Sequence, residues 1–188
     1  IALGNDFSYP LANSLDNCTA LTYINLSQCF NQPLANSLDN FTALTNIVFG
    51  YCFDQPLANS LNNCSSLTHI DFGGSFNQPL ANSLDNCTAL THIYFGDLFN
   101  QPLVNFLENH PSLTHLGLGF YFDQKLELPF NIRSLKLNCN NRNCGDYLPD
   151  NIEELELGKD FNLELDNLPS AIKKITFDKE SEYDEKLN

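Results

Sequence analysis

Apolar positions along this chain repeat with a period much longer than a helical turn or a strand pleat. Phenylalanine stands at positions 7, 30, 53, 76, 99 and 122, always 23 residues apart. The clearest copy runs from Phe76-Asn-Gln-Pro-Leu80 through Asn86-Cys-Thr-Ala-Leu90-Thr-His-Ile-Tyr-Phe95-Gly96, and nearly every apolar residue in it keeps that period. Within a copy, Leu90 to Phe95 alternates apolar and polar residues, which predicts a strand with one face on a core. Its equivalents are Leu21–Leu26, Leu44–Phe49, Leu67–Phe72 and Leu113–Leu118. Gly50, Gly73, Gly96 and Gly119 follow four of the five and are read as sharp turns. The proline that comes next lacks an amide donor, so it belongs to a return path rather than to a central strand. Beyond it, Leu80, Leu84, Cys87 and Leu90 have the spacing of one or two helical turns.

After Phe122 the wording changes while the rhythm persists. Leu128-Pro129, Leu148-Pro149 and Leu168-Pro169 recur every 20 residues. Each leads into a strand pattern: Ile132–Leu137, Ile152–Leu157 and Ile172–Phe177. That makes eight strand units, and Ile1 and Leu3 supply half of another. One such coil cannot bury its own apolar face, but stacked coils can. A fixed period of about 20–29 residues marks a leucine-rich solenoid. The predicted fold is therefore an α/β repeat: a right-handed leucine-rich-repeat solenoid with one parallel sheet of about eight short strands. Short helical turns or extended segments are expected on its convex side. The chain reads as a single repeat domain over residues 1–188. Residues 1–122 hold the 23-residue repeats, starting mid-repeat, 123–177 the shorter ones, and 178–188 an acidic tail. The mid-strand start reads as a fragment or an array continuing upstream.

Leu157-Gly158-Lys-Asp-Phe161-Asn162-Leu163, followed by Leu168-Pro169-Ser-Ala-Ile172, resembles the FNIP repeat. This variety of leucine-rich repeat is abundant in slime moulds and in giant viruses that infect amoebae. The Phe-Asn-Gln-Pro-Leu copies resemble the same family, and their Asn-Cys-Thr-Ala-Leu-Thr segments are similar to BspA-like leucine-rich repeats. The resemblance implies a binding scaffold, in some members joined to an F-box that recruits a ubiquitin ligase. No F-box-like segment stands in this sequence.

Charge narrows the partners. The net charge is −14, and no Lys or Arg precedes Lys125. Nucleic-acid binding through phosphates needs a basic stripe and is not expected; the charge is read first as keeping the array soluble, with a basic partner as the alternative. No apolar run approaches the roughly 20 residues of a membrane span. The expected location is cytoplasmic (host cytoplasm or virion if viral), with a secreted or surface location as the alternative.

Candidate chemistry is sparse. Cys18, Cys64 and Cys87 share a column with Phe41 and His110, read as an inward site for any medium-sized apolar group. Cys29 and Cys52 share another with Ser75, Leu98 and Tyr121. Adjacent coils bring such pairs within disulfide range, but side chains stacked in register point the same way. Buried free thiols are the expectation for the 23-residue copies. Cys139 and Cys144 could pair locally, and no second pair completes a zinc site. Asn17, Asn25, Asn40, Asn63 and Asn86 open Asn-Xaa-Ser/Thr sequons, for which backbone capping is preferred over glycosylation.

Strand positions facing away from the core define the concave surface. One column reads Tyr23, Asn46, His69, His92, His115, Ser134, Glu154, Lys174; the next reads Asn25, Val48, Asp71, Tyr94, Gly117, Lys136, Glu156, Thr176. These change freely while the inward columns barely change, so packing does not dictate them. His69, Asp71, His92, Tyr94 and His115 form the candidate partner-binding site. Two of the imidazoles could converge on a zinc or one could act as a base, but no nucleophile accompanies them, and repeat duplication explains the row. Neither catalytic nor metal nor cofactor residues are assigned. The expected function is a non-enzymatic protein-interaction scaffold using the concave sheet. The alternative is a structural or surface-exposed component, such as a virion protein or adhesin, that spans distance. The cluster is expected to modulate binding between about pH 5.5 and 7.

Overall fold

The computed structural model describes the chain except residues 12–13, 35–36, 39, 81, 139–147, 160, 162–164, 166–167 and 179–188. Eight short strands follow one another: β1 (Tyr23–Asn25), β2 (Asn46–Val48), β3 (His69–Asp71), β4 (His92–Tyr94), β5 (His115–Leu118), β6 (Ser134–Leu137), β7 (Glu154–Leu157) and β8 (Lys174–Phe177). They make one sheet in sequence order. Every neighbouring pair is parallel, and the register advances by one repeat, so Ile24, Ile47, Ile70, Ile93, Leu116, Leu135, Leu155 and Ile175 stand in line. The half-strand at the start also docks, through a bridge from Ala2 to Asn25. This is the leucine-rich-repeat solenoid that the period predicts.

The core is built from columns of identical side chains. Phe30, Phe53, Phe76, Phe99 and Phe122 are fully buried, and consecutive rings stack with centroids 6.0–6.3 Å apart. A second file, Phe49, Phe72 and Phe95, comes from the strands and leans on the first, with Phe72 4.1 Å from Phe76. Repetition in sequence thus becomes like-on-like packing, since each side chain meets its own copies above and below.

The glycine column serves a different purpose from the one its sequence suggests. None of these glycines has a positive φ, so turn freedom is not what selects them. A Cβ on Gly50, Gly73, Gly96 or Gly119 would instead lie 1.7–2.3 Å from the carbonyl oxygen of the preceding coil. Coil backbones pass too closely there for any side chain.

The Asn-Gln pair after each spine phenylalanine forms a polar ladder. The backbone N–H groups of Asp54, Asn77, Asn100 and Asp123 donate to the Oδ1 of Asn31, Asp54, Asn77 and Asn100, at 2.9–3.0 Å. Gln55, Gln78, Gln101 and Gln124 donate to the same oxygens at 2.9–3.1 Å. Only an acceptor oxygen is used, which is why Asn and Asp interchange in this column while Gln, the donor, stays fixed.

Of the helical turns or extended segments expected on the convex side, α1 (Val104–Asn109) is the one α-helix among the described residues. Elsewhere the serine of Leu-Ala-Asn-Ser closes a tight turn onto the leucine three residues back, as Ser60 does onto Leu57 at 2.8 Å. Ser, Asn and Asp compete with helical hydrogen bonding; α1 has Phe106 and Glu108 where other copies have Ser and Asp, and closes a four-residue bond from Leu107 to Leu103. The expectation for the cysteines needs correcting. Cys64 and Cys87 are buried, but Cys18, Cys29 and Cys52 are exposed; all five are unbridged thiols. Three members of the inward column also make hydrogen bonds. Cys64 and Cys87 donate to the carbonyls of Leu38 and Leu61 at 3.7 and 3.6 Å, and His110 reaches that of Leu84 at 3.0 Å. Phe41, in the same column, is buried without any such donor. Cys139 and Cys144 lie outside the described residues.

Candidate functional site

Period-two alternation sends His69, His92 and His115 out of the sheet from β3, β4 and β5, and the parallel register sets them side by side. Their rings stack, with centroids 4.0 Å apart for His69–His92 and 3.8 Å for His92–His115. Asp71 pairs in register with Tyr94, and Tyr94 with Gly117. The five candidate residues therefore do come together on one face.

Threonines that alternation alone does not single out hold the rings in place. Thr68, Thr91 and Thr114 each meet Nδ1 of the following histidine at 2.8 Å. The same hydroxyls donate to the carbonyls of Thr45, Thr68 and Thr91 in the preceding coil, at 3.0, 3.1 and 3.3 Å. An oxygen–oxygen contact of that length needs a hydrogen in it, and only the hydroxyl has one to give. The hydrogen in the Thr–His contact must then be on Nδ1. Each histidine accordingly carries its proton on Nδ1 and turns a bare Nε2 lone pair outward. The signal is present in sequence: a threonine precedes every member of the column from Tyr23 to His115.

Stacking and partial burial govern the ionisation of the row. Burial first, then His115 and His69, push His92 down to about 4. His115 is also lowered, by burial foremost, with Glu154 opposing. The centre of the row is thus neutral through the pH 5.5–7 window in which an ordinary histidine titrates, chiefly because burial disfavours its charged form. Burial raises the Asp71 carboxyl above the usual carboxylate range although the residue keeps solvent contact, and Lys136 pulls the other way. Tyr94 is raised as well, by burial and then by Glu156. Its ring lies over Gly117, where a Cβ would come within 2.5 Å of the tyrosine Cδ1. Beyond it, Lys136 pairs with Glu156 at 2.5 Å.

A zinc site does not emerge from this geometry. The planes of neighbouring rings are within 15° of parallel, so the Nε2 lone pairs run alongside one another instead of converging. Among the described residues no group of three or more His, Cys, Asp or Glu is placed to hold a metal ion. At the other edge of the coils, Asn17, Asn40, Asn63 and Asn86 are exposed with their Thr19, Thr42, Ser65 and Thr88 partners. Most of them line an open polar groove. The fifth sequon differs: Ser27 is buried, and its hydroxyl is taken up by the Phe7 carbonyl.

Residues 145–180 match the family model of the FNIP Repeat. Among solved structures the chain is similar to CroV588, a circular LRR protein of a giant virus, with TM-score 0.58 and 28% identity. That likeness covers 85% of this chain and 27% of CroV588. A chain of the Drosophila Toll–Spätzle complex gives TM-score 0.54 at 17% identity, over 93% of this chain and 32% of that one, and shows the fold alone. This chain therefore spans about a third or less of either structure. No curated protein matches. No helix among the described residues is long and apolar enough to cross a membrane. With parallel coils in unbroken register and this match near its C-terminal end, the chain is a leucine-rich-repeat solenoid that carries an FNIP repeat.

Proposed function

We propose that this chain is a non-enzymatic scaffold that binds a protein partner on the outward, concave face of its sheet, with His69, Asp71, His92, Tyr94 and His115 at the centre of the contact. The observation that carries this reading is the contrast between columns. Inward positions repeat because each must pack on its own copies, whereas the outward columns pass from Tyr and Asn through His to Ser, Glu and Lys. The repeat fold of the chain is commonly used for protein interaction. Solenoids use such a face for extended recognition, and aromatic residues are enriched where interfaces are strongest. One solved structure of like fold is itself a complex, of Toll with Spätzle. The first 124 residues hold no Lys or Arg, so a partner with a basic surface is favoured on charge.

The test is co-purification from the source cell with the parent chain and with a His69/His92/Tyr94/His115→Ala variant whose melt is unchanged. A stoichiometric partner held by the parent and lost by the variant supports the concave site. Equal recovery by both chains removes it. A structural, surface-exposed role is the second reading, favoured by the exposed sequon column. Glycans on Asn17, Asn40, Asn63 or Asn86 of the native protein would support it, and their absence from a secreted form would count against it.

A further inference from the structure

The column two residues after each glycine or its equivalent, Cys29, Cys52, Ser75, Leu98 and Tyr121, runs along an edge of the coils. A backbone ladder ties it together: Cys29 N–H donates to Asn5 O at 3.1 Å, and Cys52 N–H to Gln28 O at 2.9 Å. Ser75, Leu98 and Tyr121 continue it at 2.9 Å each. Strands paired in this way lie about 4.8 Å apart, and a disulfide tolerates Cα separations of about 4.4–6.8 Å. Cys29 and Cys52 are both free and both exposed. The other adjacent pair, Cys64 and Cys87, is buried, with its sulfurs turned toward separate carbonyls.

We propose that Cys29 and Cys52 form a modification site: a dithiol on adjacent coils that a low-molecular-weight disulfide converts into a covalent staple between the coils of β1 and β2. One protein thiol loses its proton and attacks a sulfur of the oxidant, breaking the oxidant's S–S bond, forming a mixed disulfide and releasing one thiolate. The second protein thiol, deprotonated in turn, attacks the mixed disulfide at the protein sulfur and expels the second thiolate. The two protein thiols give up two electrons and two protons, and the oxidant is reduced to two thiols. In-register side chains point the same way, so their Cβ atoms must close to about 3.5–4.5 Å. The exposed turn leaves room for that movement, whereas the packed column of Cys64 and Cys87 does not.

The surroundings set the pace. Partial desolvation, then the neighbouring Cys52 thiol and the Asp6 carboxylate, hold the Cys29 thiol above its ordinary value. Thiolate is the reacting form, so closure should accelerate as pH rises from 7 to 9.

The test uses oxidised glutathione on a Cys18/Cys139/Cys144→Ser variant, which keeps the Cys29–Cys52 pair and the buried Cys64 and Cys87. The expected product is lighter by two hydrogens, retains no glutathione and yields one peptide cross-linked between Cys29 and Cys52. Its melting temperature should rise by several degrees, reversibly on reduction. Adding Cys29→Ser should leave a stable glutathione adduct on Cys52 instead. Lasting adducts without a link, a link between molecules or to Cys64 or Cys87, or no reaction in the folded chain would each overturn the proposal. If the variant does not fold, peptide mapping of the oxidised parent chain decides between the same outcomes.

Discussion

Phe76→Ala probes the spine where it is best supported. Phe76 has no solvent exposure, with Phe53 at 6.0 Å, Phe99 at 6.1 Å and Phe72 at 4.1 Å between ring centroids. A buried phenylalanine removes about 150–250 Å² from water, and at about 25 cal/mol per Å² that is worth roughly 4–6 kcal/mol. Alanine keeps part of that area but leaves a void between rings, and truncations of this kind cost about 3–5 kcal/mol. Collapse around the void is resisted by the flanking Asn77 ladder, which fixes the spacing of the coils through bonds of 2.9 Å on either side. The loss should therefore lie toward the upper end, near 5 kcal/mol, out of the roughly 5–15 kcal/mol typical of a folded domain. Urea melts followed by circular dichroism would measure it. Phe7→Ala is the internal control: Phe7 is only half-buried and has a spine neighbour on one side alone, Phe30 at 6.3 Å. A loss below about 1 kcal/mol for Phe76→Ala, or equal losses at both positions, would refute like-on-like stacking as the source of stability.

Gly96→Ala should destabilise by about 3 kcal/mol, the upper end of overpacking costs, because its Cβ would sit 2.3 Å from the Gly73 carbonyl oxygen. Gly4→Ala, in the same column but with nothing within 4 Å, should be close to neutral; comparable thermal shifts would disprove close approach as the reason for glycine. Acid should weaken the fold between about pH 6.5 and 4. With the His92 pKa lowered to about 4, the unfolded chain binds more protons across that range, so the contribution is complete above 6.5 and is lost as pH falls toward 4. His92→Asn should flatten this part of the pH–stability curve, and an unchanged slope would refute the assignment.

The solenoid was legible because its period is written in residue identity: six phenylalanines without a slip place the first five strands, and three Leu-Pro pairs at a spacing of 20 place the other three. The outward columns were legible for the same reason, since alternation assigns each residue to a face. What the sequence concealed were the distances between coils. Gly96 reads as a turn residue until the Gly73 carbonyl is seen beside it. Asn77 reads as a loop amide until its oxygen is seen to take bonds from the Asn100 N–H and the Gln101 side chain. Cys29 reads as a core thiol by analogy with Cys87, although the two occupy columns of opposite exposure. Which convex segments would be helical was hidden for a local reason: the apolar spacing is the same in each, but the serine between the leucines closes a tighter turn.

The same coil-to-coil contact bears on how the candidate site should be tested. His69, His92 and His115 stack on one another much as the spine phenylalanines do, with closer centroids. The row is thus a packed ladder as well as an exposed surface. Replacing His92 by Ala removes a ring that both neighbours lean on, and strips Thr91 of a partner. A loss of binding in that variant would mix recognition with local collapse. Asparagine separates the two, because the column already contains one: Asn46 Oδ1 accepts from the Thr45 hydroxyl at 2.7 Å, so an amide keeps a contact to the threonine although with the donor reversed. His92→Asn should keep the Thr91 contact and the register of β4 while deleting the outward Nε2 acceptor and the ring face. If a partner reads that row, this variant loses it with its neutral-pH melt unchanged. Should the partner remain bound, the imidazoles serve the sheet, and Tyr94 with Asp71 becomes the part of the face on which recognition rests.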